Sequence, residues 1–166
     1  MGDGSLRGSS KAKMNALKLK IPPPVYALSI AIMMWLLNQY LPIAQLIEAP
    51  FNRLGLGIIV VAGTFDLWSL FLFFKKHTTS NPMKPENTTG LVVTGLYKIS
   101  RNPMYVGLLI MLFGYAVWLG SVTPFFVIPL FYWVITVMQI KPEEELLLEK
   151  FGDDYQSYKD RVRRWI

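Results

Sequence analysis

Cysteine is absent from this 166-residue chain, and histidine occurs once, as His77. Without cysteine there is no disulfide, no cysteine-ligated zinc and no cysteine nucleophile. A single histidine also argues against a histidine-rich metal site or a histidine-based triad, so no metal is predicted. Because His77 follows two lysines, a surface position at the membrane interface suits it better than a catalytic role.

Charged residues are few, and apolar residues are abundant. Charged residues make up 17% of the chain and apolar residues 52%, and the mean hydropathy is +0.34. This value is high for a soluble protein of this length, and the apolar residues fall into long runs, which is typical of a membrane protein. The length suggests one domain. The net charge of +6 is explained by positive cytoplasmic segments, so no nucleic-acid partner is predicted.

Four apolar runs are predicted to cross the membrane. The second is twenty residues long, which gives a helix of roughly 30 Å, enough for the hydrocarbon core. We therefore predict an all-α integral membrane protein with about four transmembrane helices and a C-terminal amphipathic cytoplasmic helix. The predicted spans are 25–41, 55–74, 104–119 and 123–140, and the C-terminal helix is about 142–164.

The first twenty residues are basic, and residues 1–13 are expected to be disordered. Residues 21–166 are predicted to form a single domain. A signal peptide is the alternative for the first apolar run. The length of that run and the lack of a small-residue cleavage site after it argue against this alternative.

The positive charges predict the orientation of the protein. With four spans, Arg53 is the only one of 17 lysines and arginines on one side, and the other 16 share the opposite side. Cytoplasmic segments carry such an excess. A multi-pass protein with both termini in the cytoplasm is therefore predicted, and it suits a prokaryotic inner membrane. Gly107 and Gly114, seven residues apart, are expected to let the third span pack closely against a neighbour.

One polar segment between the apolar runs has chemical character. It is residues 95–107, with the sequence Gly-Leu-Tyr-Lys-Ile-Ser-Arg-Asn-Pro-Met-Tyr-Val-Gly. Pro103 suits the first turn of a helix, so Asn102 is the predicted N-cap. A helix start beside an arginine and glycines can hold an anionic group. The alternative is a cationic loop that only anchors a membrane helix.

Carboxylates occur at two further places. Glu143 and Glu144 follow Pro142 in a predicted first helical turn, where acidic residues suit the positive end of the helix dipole. The last two spans form a hairpin, which brings this pair opposite the basic helix start and suits a zwitterion. Helix capping alone is the alternative. Asp66, near the middle of the second span, is costly there. It is expected to line the active cavity or to make a buried structural hydrogen bond.

Two blocks of the sequence carry a family resemblance. The first is Gly95-x-Tyr97, then Ser100-Arg101-Asn102-Pro103-Met104-Tyr105-x-Gly107, and the second is Glu143-Glu144-x-x-Leu147-x-x-x-Phe151-Gly152-x-x-Tyr155-x-x-Tyr158. In this order, with a helical hairpin between them, they resemble the integral-membrane methyltransferases. That superfamily contains isoprenylcysteine carboxyl methyltransferase and the phospholipid N-methyltransferases. The resemblance covers about residues 90–165.

The resemblance implies S-adenosylmethionine as the cofactor, bound at the cytoplasmic side. It also implies methyl transfer to a lipid, a prenylated small molecule or another hydrophobic acceptor in the bilayer. The implied cofactor-binding residues are Gly95, Tyr97, Arg101, Asn102, Pro103, Tyr105, Gly107, Glu143 and Glu144. Arg101, Asn102 and Glu144 are in addition expected to take part in catalysis. Carboxylates suit the ammonium or the ribose of the cofactor, and Arg101 with the helix start suits its carboxylate.

Two departures from the family pattern bear on the acceptor. Asn102 stands where the family more usually has histidine, so this position can hydrogen-bond but cannot titrate near pH 7. The eukaryotic isoprenylcysteine enzymes carry arginines late in the last span, whereas residues 131–139 contain none. This weakens the expectation of a prenylcysteine acceptor.

Two other functions are open on the sequence. One is an NADPH-dependent membrane reductase of the sterol-reductase type, which shares a similar first block but is usually much longer. The other is a small non-enzymatic membrane protein whose polar segment docks a partner. The sequence predicts neither the identity of the acceptor nor the oligomeric state.

Overall fold

The structure is a computed structural model, and it describes residues 21–75, 91 and 93–166, without the side chains of 72–75. The expectations for the N-terminal twenty residues and for His77 lie outside these ranges.

Helices make up the regular structure. In chain order they are α1 (Pro23–Tyr40), α2 (Leu54–Lys75), α3 (Pro103–Leu119), α4 (Ile128–Ile135) and α5 (Lys141–Arg161). Three short 3-10 helices precede α2, α3 and α4, at Phe51–Arg53, Gly95–Lys98 and Thr123–Val127. A π-helical turn, Thr136–Ile140, joins α4 to α5. The residues that the structure describes contain isolated bridges but no strand, so the all-α prediction is confirmed for them.

Within the described ranges, two helical stretches are long and apolar enough to cross a membrane. They are Phe51–Phe71 and Thr123–Arg161, and Pro103–Leu119 is a shorter apolar helix. The four predicted spans lie within two residues of α1, α2, α3 and the segment 123–140. How many of these segments cross a bilayer, and in which direction, stays a prediction.

The end of the chain differs from the prediction of two separate helices. One continuous helix runs from Thr123 to Arg161. A proline inside a helix lacks an N–H group, and its ring meets the carbonyl four residues earlier. The π turn ends two residues before Pro142, and a wider turn at this place accommodates the proline. Gly152 adopts φ 51° and ψ −123° and kinks the helix.

The core lies between α1, α3 and α4. Its fully buried members include Met34, Ala116, Phe131 and Ile135. Large apolar side chains are instead exposed along α1 and α2, as at Ile32, Trp35, Val60, Phe65 and Trp68. An apolar surface of this extent marks contact with lipid or another apolar partner.

The contact between α2 and α3 is close because glycines meet there. A Cβ atom at Gly114 would lie 2.8 Å from the carbonyl oxygen of Gly55, and one at Gly55 would lie 2.5 Å from the amide nitrogen of Trp118. Small residues permit this approach of two backbones in a membrane. The expectation of close packing at Gly114 is confirmed.

Replacing Gly55 with alanine is expected to destabilise the protein by about 1–3 kcal/mol, since the added methyl group overlaps backbone atoms that cannot move aside. The measurement is thermal unfolding in detergent. Gly57→Ala is the matched control, because a Cβ atom there meets nothing within 4 Å and alanine favours the helix. Equal melting temperatures for the two variants would contradict the packing argument.

Candidate active site

The start of α3 lies where the sequence predicts it. Asn102 is the N-cap and Pro103 the first helical residue, and the Asn102 carbonyl accepts the amide N–H of Tyr105 at 3.0 Å. The Asn102 side chain does not cap the helix. Its Nδ2 donates to the carbonyl of Arg164 at 2.9 Å. Pro103 has no amide N–H group, and the amides of Tyr105 and Val106 both donate to the Asn102 carbonyl. The start of α3 therefore favours an anion through the positive end of the helix dipole.

Residues 162–166, here the C-terminal strap, lie along the polar segment that precedes α3. The amide N–H of Arg101 donates to the carbonyl of Arg163 at 3.0 Å. Trp165 stacks on Tyr132 of α4, with 4.7 Å between the ring centroids. The C-terminal strap therefore connects the polar segment to α4.

Glu144 lies between two arginines. Its Oε1 is 3.0 Å from Nη2 of Arg101. Arg164 donates from Nε to the same oxygen at 3.0 Å and from Nη2 to Oε2 at 2.7 Å. These hydrogen bonds raise the pKa of Arg164 above its ordinary value. Both oxygens of Glu144 are engaged, so this carboxylate holds the arginines.

Arg101 retains two donors for another group. Its side chain is 9% exposed, and its Nε and Nη1 are buried without a hydrogen-bond partner among the described residues. A guanidinium is always charged, and an unpaired buried donor costs about 1–3 kcal/mol or more. These N–H groups therefore suit an anion such as a carboxylate, which offers acceptors only.

Glu143 makes a different contact from Glu144. Tyr105 of α3 donates its hydroxyl to Oε2 of Glu143 at 3.0 Å. Glu143 follows the predicted span 123–140. Burial raises its pKa to about 7, the Tyr105 hydrogen bond opposes this, and the neighbouring Glu144 adds to it. A cation beside Glu143 would favour the charged carboxylate.

Asp66 of α2 lies directly against Gly107 of α3, where any side chain would overlap its carboxylate. Its Oδ1 is buried and has no hydrogen-bond partner in the described part of the chain. This oxygen therefore does not make the structural hydrogen bond that was one of the two expectations. Tyr97 is close by. Burial raises its pKa, and the charges of Glu143 and Asp66 contribute, so both carboxylates lie near this phenol.

Side-chain contacts join four of the nine predicted site residues in two pairs. Arg101 meets Glu144, Tyr105 meets Glu143, and the carbonyl of Tyr97 accepts the hydroxyl of Tyr158 at 2.7 Å. Gly95 has a φ of 64°, which glycine adopts without strain. Pro103 and Gly107 are buried in α3. Their roles toward a cofactor stay predictions.

Arg164 is not among the site residues that the sequence predicts. A helix was predicted through residue 164, and an arginine at the end of an amphipathic helix is usually solvated. The structure ends α5 at Arg161 and continues with an extended Val162, at φ −122° and ψ 131°. No local sequence signal marks this return of the chain toward Glu144.

Comparison with known proteins defines the class as a membrane methyltransferase. The family described as phospholipid methyltransferase matches residues 51–154. The chain belongs to this phospholipid methyltransferase family. The match covers Glu143 and Glu144, the polar segment at residues 95–107, and Asp66.

Two relatives share shorter stretches. An uncharacterized protein of Haemophilus influenzae is 43% identical over 63 residues, which are 38% of this chain and 100% of that protein. The protein-S-isoprenylcysteine O-methyltransferase of Schizosaccharomyces pombe is 35% identical over 72 residues, 43% of this chain and 30% of the yeast protein. The chain thus matches less than a third of the yeast enzyme. No solved structure matches. The family favours a methyltransferase over the reductase and the non-enzymatic alternative.

Proposed function

We propose that the protein uses S-adenosylmethionine to methylate a lipid or another hydrophobic acceptor at the cytoplasmic face of the membrane. One observation carries the proposal. Arg101 offers two buried donors that have no partner among the described residues, in a site that also contains the partly buried side chain of Glu143. These opposite charges match the carboxylate and the ammonium at the methionine end of the cofactor.

Each residue has a role in this proposal. Arg101 binds the cofactor carboxylate through Nε and Nη1, and the positive end of the α3 dipole favours the same group. Glu143 binds the ammonium and is oriented by the hydroxyl of Tyr105. Glu144 holds Arg101 in place. The bound cofactor supplies a methyl group on a positively charged sulfonium, while the protein aligns the acceptor and excludes water.

A lipid amine fits the site better than a carboxylate acceptor. Asp66 lies against Gly107 and Glu143 contacts Tyr105, and neither carboxyl is paired with a cation among the described residues, so both would repel a second anion when charged. An ammonium head group must lose a proton before its nitrogen can attack. In this proposal Oδ1 of Asp66, which has no partner in the described part of the chain, accepts that proton.

The proposed topology has four spans with both termini in the cytoplasm. It puts the start of α3 and the start of α5 on the cytoplasmic side, where a soluble cofactor is available. The exposed apolar faces of α1 and α2 support it. An acceptor can then enter sideways between helices while its acyl chains stay in the bilayer.

The test is isothermal titration calorimetry of the detergent-solubilised protein with S-adenosylmethionine, and with NADPH as the comparison. We expect binding of S-adenosylmethionine only. The Glu143→Ala, Glu144→Ala double variant should weaken this binding tenfold or more, roughly 1.4 kcal/mol.

The matched control is Asp153→Ala with Asp154→Ala, which removes the same charge from exposed positions on the same helix. It should bind as the wild type does. Binding of NADPH alone would favour the reductase, and binding of neither compound would favour the non-enzymatic alternative. Unchanged affinity in the glutamate variant would refute the site.

A further inference from the structure

We propose that Arg164 is a positioning residue for this site. Because Arg164 binds Glu144 through two hydrogen bonds, two donors of Arg101 stay available to an anionic ligand. The proposed function supplies the identity of that ligand, the carboxylate of S-adenosylmethionine. The role of Arg164 itself follows from the geometry of the three charged side chains.

Arg164 and Arg101 make different contacts with Glu144. Arg164 occupies both carboxylate oxygens, with its Nε on Oε1 and its Nη2 on Oε2. Arg101 reaches Oε1 with one nitrogen, Nη2, at 3.0 Å. A two-point contact between a guanidinium and a carboxylate fixes the plane of both groups. The orientation of Glu144 is therefore set by Arg164, and Arg101 contacts one of its oxygens.

Charge leads to the same conclusion. One carboxylate between two guanidinium groups leaves a net positive charge, which attracts an anion. Without Arg164, Glu144 and Arg101 form a neutral pair. Glu144 is then also free to turn and form its own two-point contact with Arg101. Either change reduces the affinity of Arg101 for a carboxylate ligand.

The C-terminal strap delivers Arg164 to this position. The carbonyl of Arg164 accepts Nδ2 of Asn102 at 2.9 Å and the hydroxyl of Ser100 at 3.4 Å. The next residue, Trp165, stacks on Tyr132. These contacts hold the backbone on both sides of the Arg164 side chain. They also give the side chain of Asn102, the residue that departs from the family pattern, an acceptor for its amide N–H.

The experiment is calorimetric binding of S-adenosylmethionine to the full chain in detergent. Arg164→Ala is expected to raise the Kd tenfold or more. Arg164→Lys restores the charge without the two-point contact, so its Kd should lie between those of the wild type and Arg164→Ala. The control is Arg161→Ala, which removes the same charge from an exposed side chain whose Nε donates to the Ser157 carbonyl. It should not change the Kd.

A double-mutant cycle separates positioning from a merely structural role. In a Glu144→Gln background the neutral amide cannot form a two-point ion pair with Arg101, so removal of Arg164 loses only its own charge. The Kd should then rise by a clearly smaller factor than in the wild-type background. A structural role would give the same loss in both backgrounds, and that result overturns the inference while the proposed function stands. Thermal unfolding of each variant confirms that it is folded. Failure of the wild type to bind S-adenosylmethionine would overturn the proposed function and, with it, the ligand named here.

Discussion

Replacing Arg101 with alanine is expected to weaken S-adenosylmethionine binding by about 100-fold, or roughly 2.7 kcal/mol. The change removes the donors Nε and Nη1, which no described residue engages, and leaves Glu144 with one arginine. Truncation of one partner in a buried, hydrogen-bonded charge pair costs about 2–5 kcal/mol. Calorimetric titration in detergent measures the effect, with thermal unfolding as the check on folding.

Arg101→Lys should give a smaller loss, because lysine keeps the charge but presents a point charge in place of the planar guanidinium. Arg53→Ala is the control for loss of a positive charge, since Arg53 is exposed in the 3-10 helix that precedes α2. A Kd within threefold of the wild-type value for Arg101→Ala would rule out Arg101 as the anion-binding residue.

The affinity for S-adenosylmethionine is also expected to rise with pH, by about tenfold per pH unit between pH 5 and 7. The pKa of Glu143 is raised to about 7, so below this value the carboxyl is mostly protonated and must lose its proton to bind an ammonium. Above pH 7 the carboxylate is already formed, and the affinity should level off. Titrations at several pH values measure the profile.

Two variants test the assignment of this pH dependence. Glu143→Gln has no carboxyl to titrate, so its affinity should be low and nearly constant across the range. Tyr105→Phe removes the hydrogen bond that lowers the Glu143 pKa, so its profile should shift to higher pH. A wild-type affinity that is constant from pH 5 to 8 contradicts the role given to Glu143.

The raised pKa has an opposite consequence for the protein without ligand. In the unfolded chain Glu143 loses its proton near its ordinary value of 4.5, whereas the folded chain keeps it up to about pH 7. Between these values the native state binds more protons, so this group favours folding at low pH, and its contribution is lost as the pH rises through 7. The ligand therefore stabilises the carboxylate where the fold alone does not.

Both ends of α3 were predictable because local chemistry sets them. Pro103 fits only an early helical position, and Gly120 ends α3 with a φ of 83°, a conformation that glycine adopts readily. The side-chain contact of Asn102 was not predictable in the same way. Its partner, the carbonyl of Arg164, is 62 residues away in the sequence. The local sequence favours a capping role for the Asn102 side chain, but this side chain binds the C-terminal strap instead.

The different partners of Glu143 and Glu144 were also not predictable from the sequence. Adjacent glutamates in a first helical turn look equivalent in the sequence, and both were expected to contact the cofactor. The structure gives them different partners because consecutive residues point about 100° apart around a helix. Glu143 meets Tyr105 of α3, while Glu144 meets the two arginines. Which glutamate meets which partner depends on how α5 is rotated relative to α3, and no local pattern specifies that rotation.

The π turn at Thr136–Ile140 sets the rotational phase of α5. A π turn contains about one residue more than an α turn, and each residue of an α-helix advances the side-chain direction by about 100°. With an ordinary α turn at this place, α5 would be rotated by that angle, and Glu143 would point away from Tyr105. The π turn thus rotates α5 about its axis, and this rotation directs Glu143 toward Tyr105 at the start of α3.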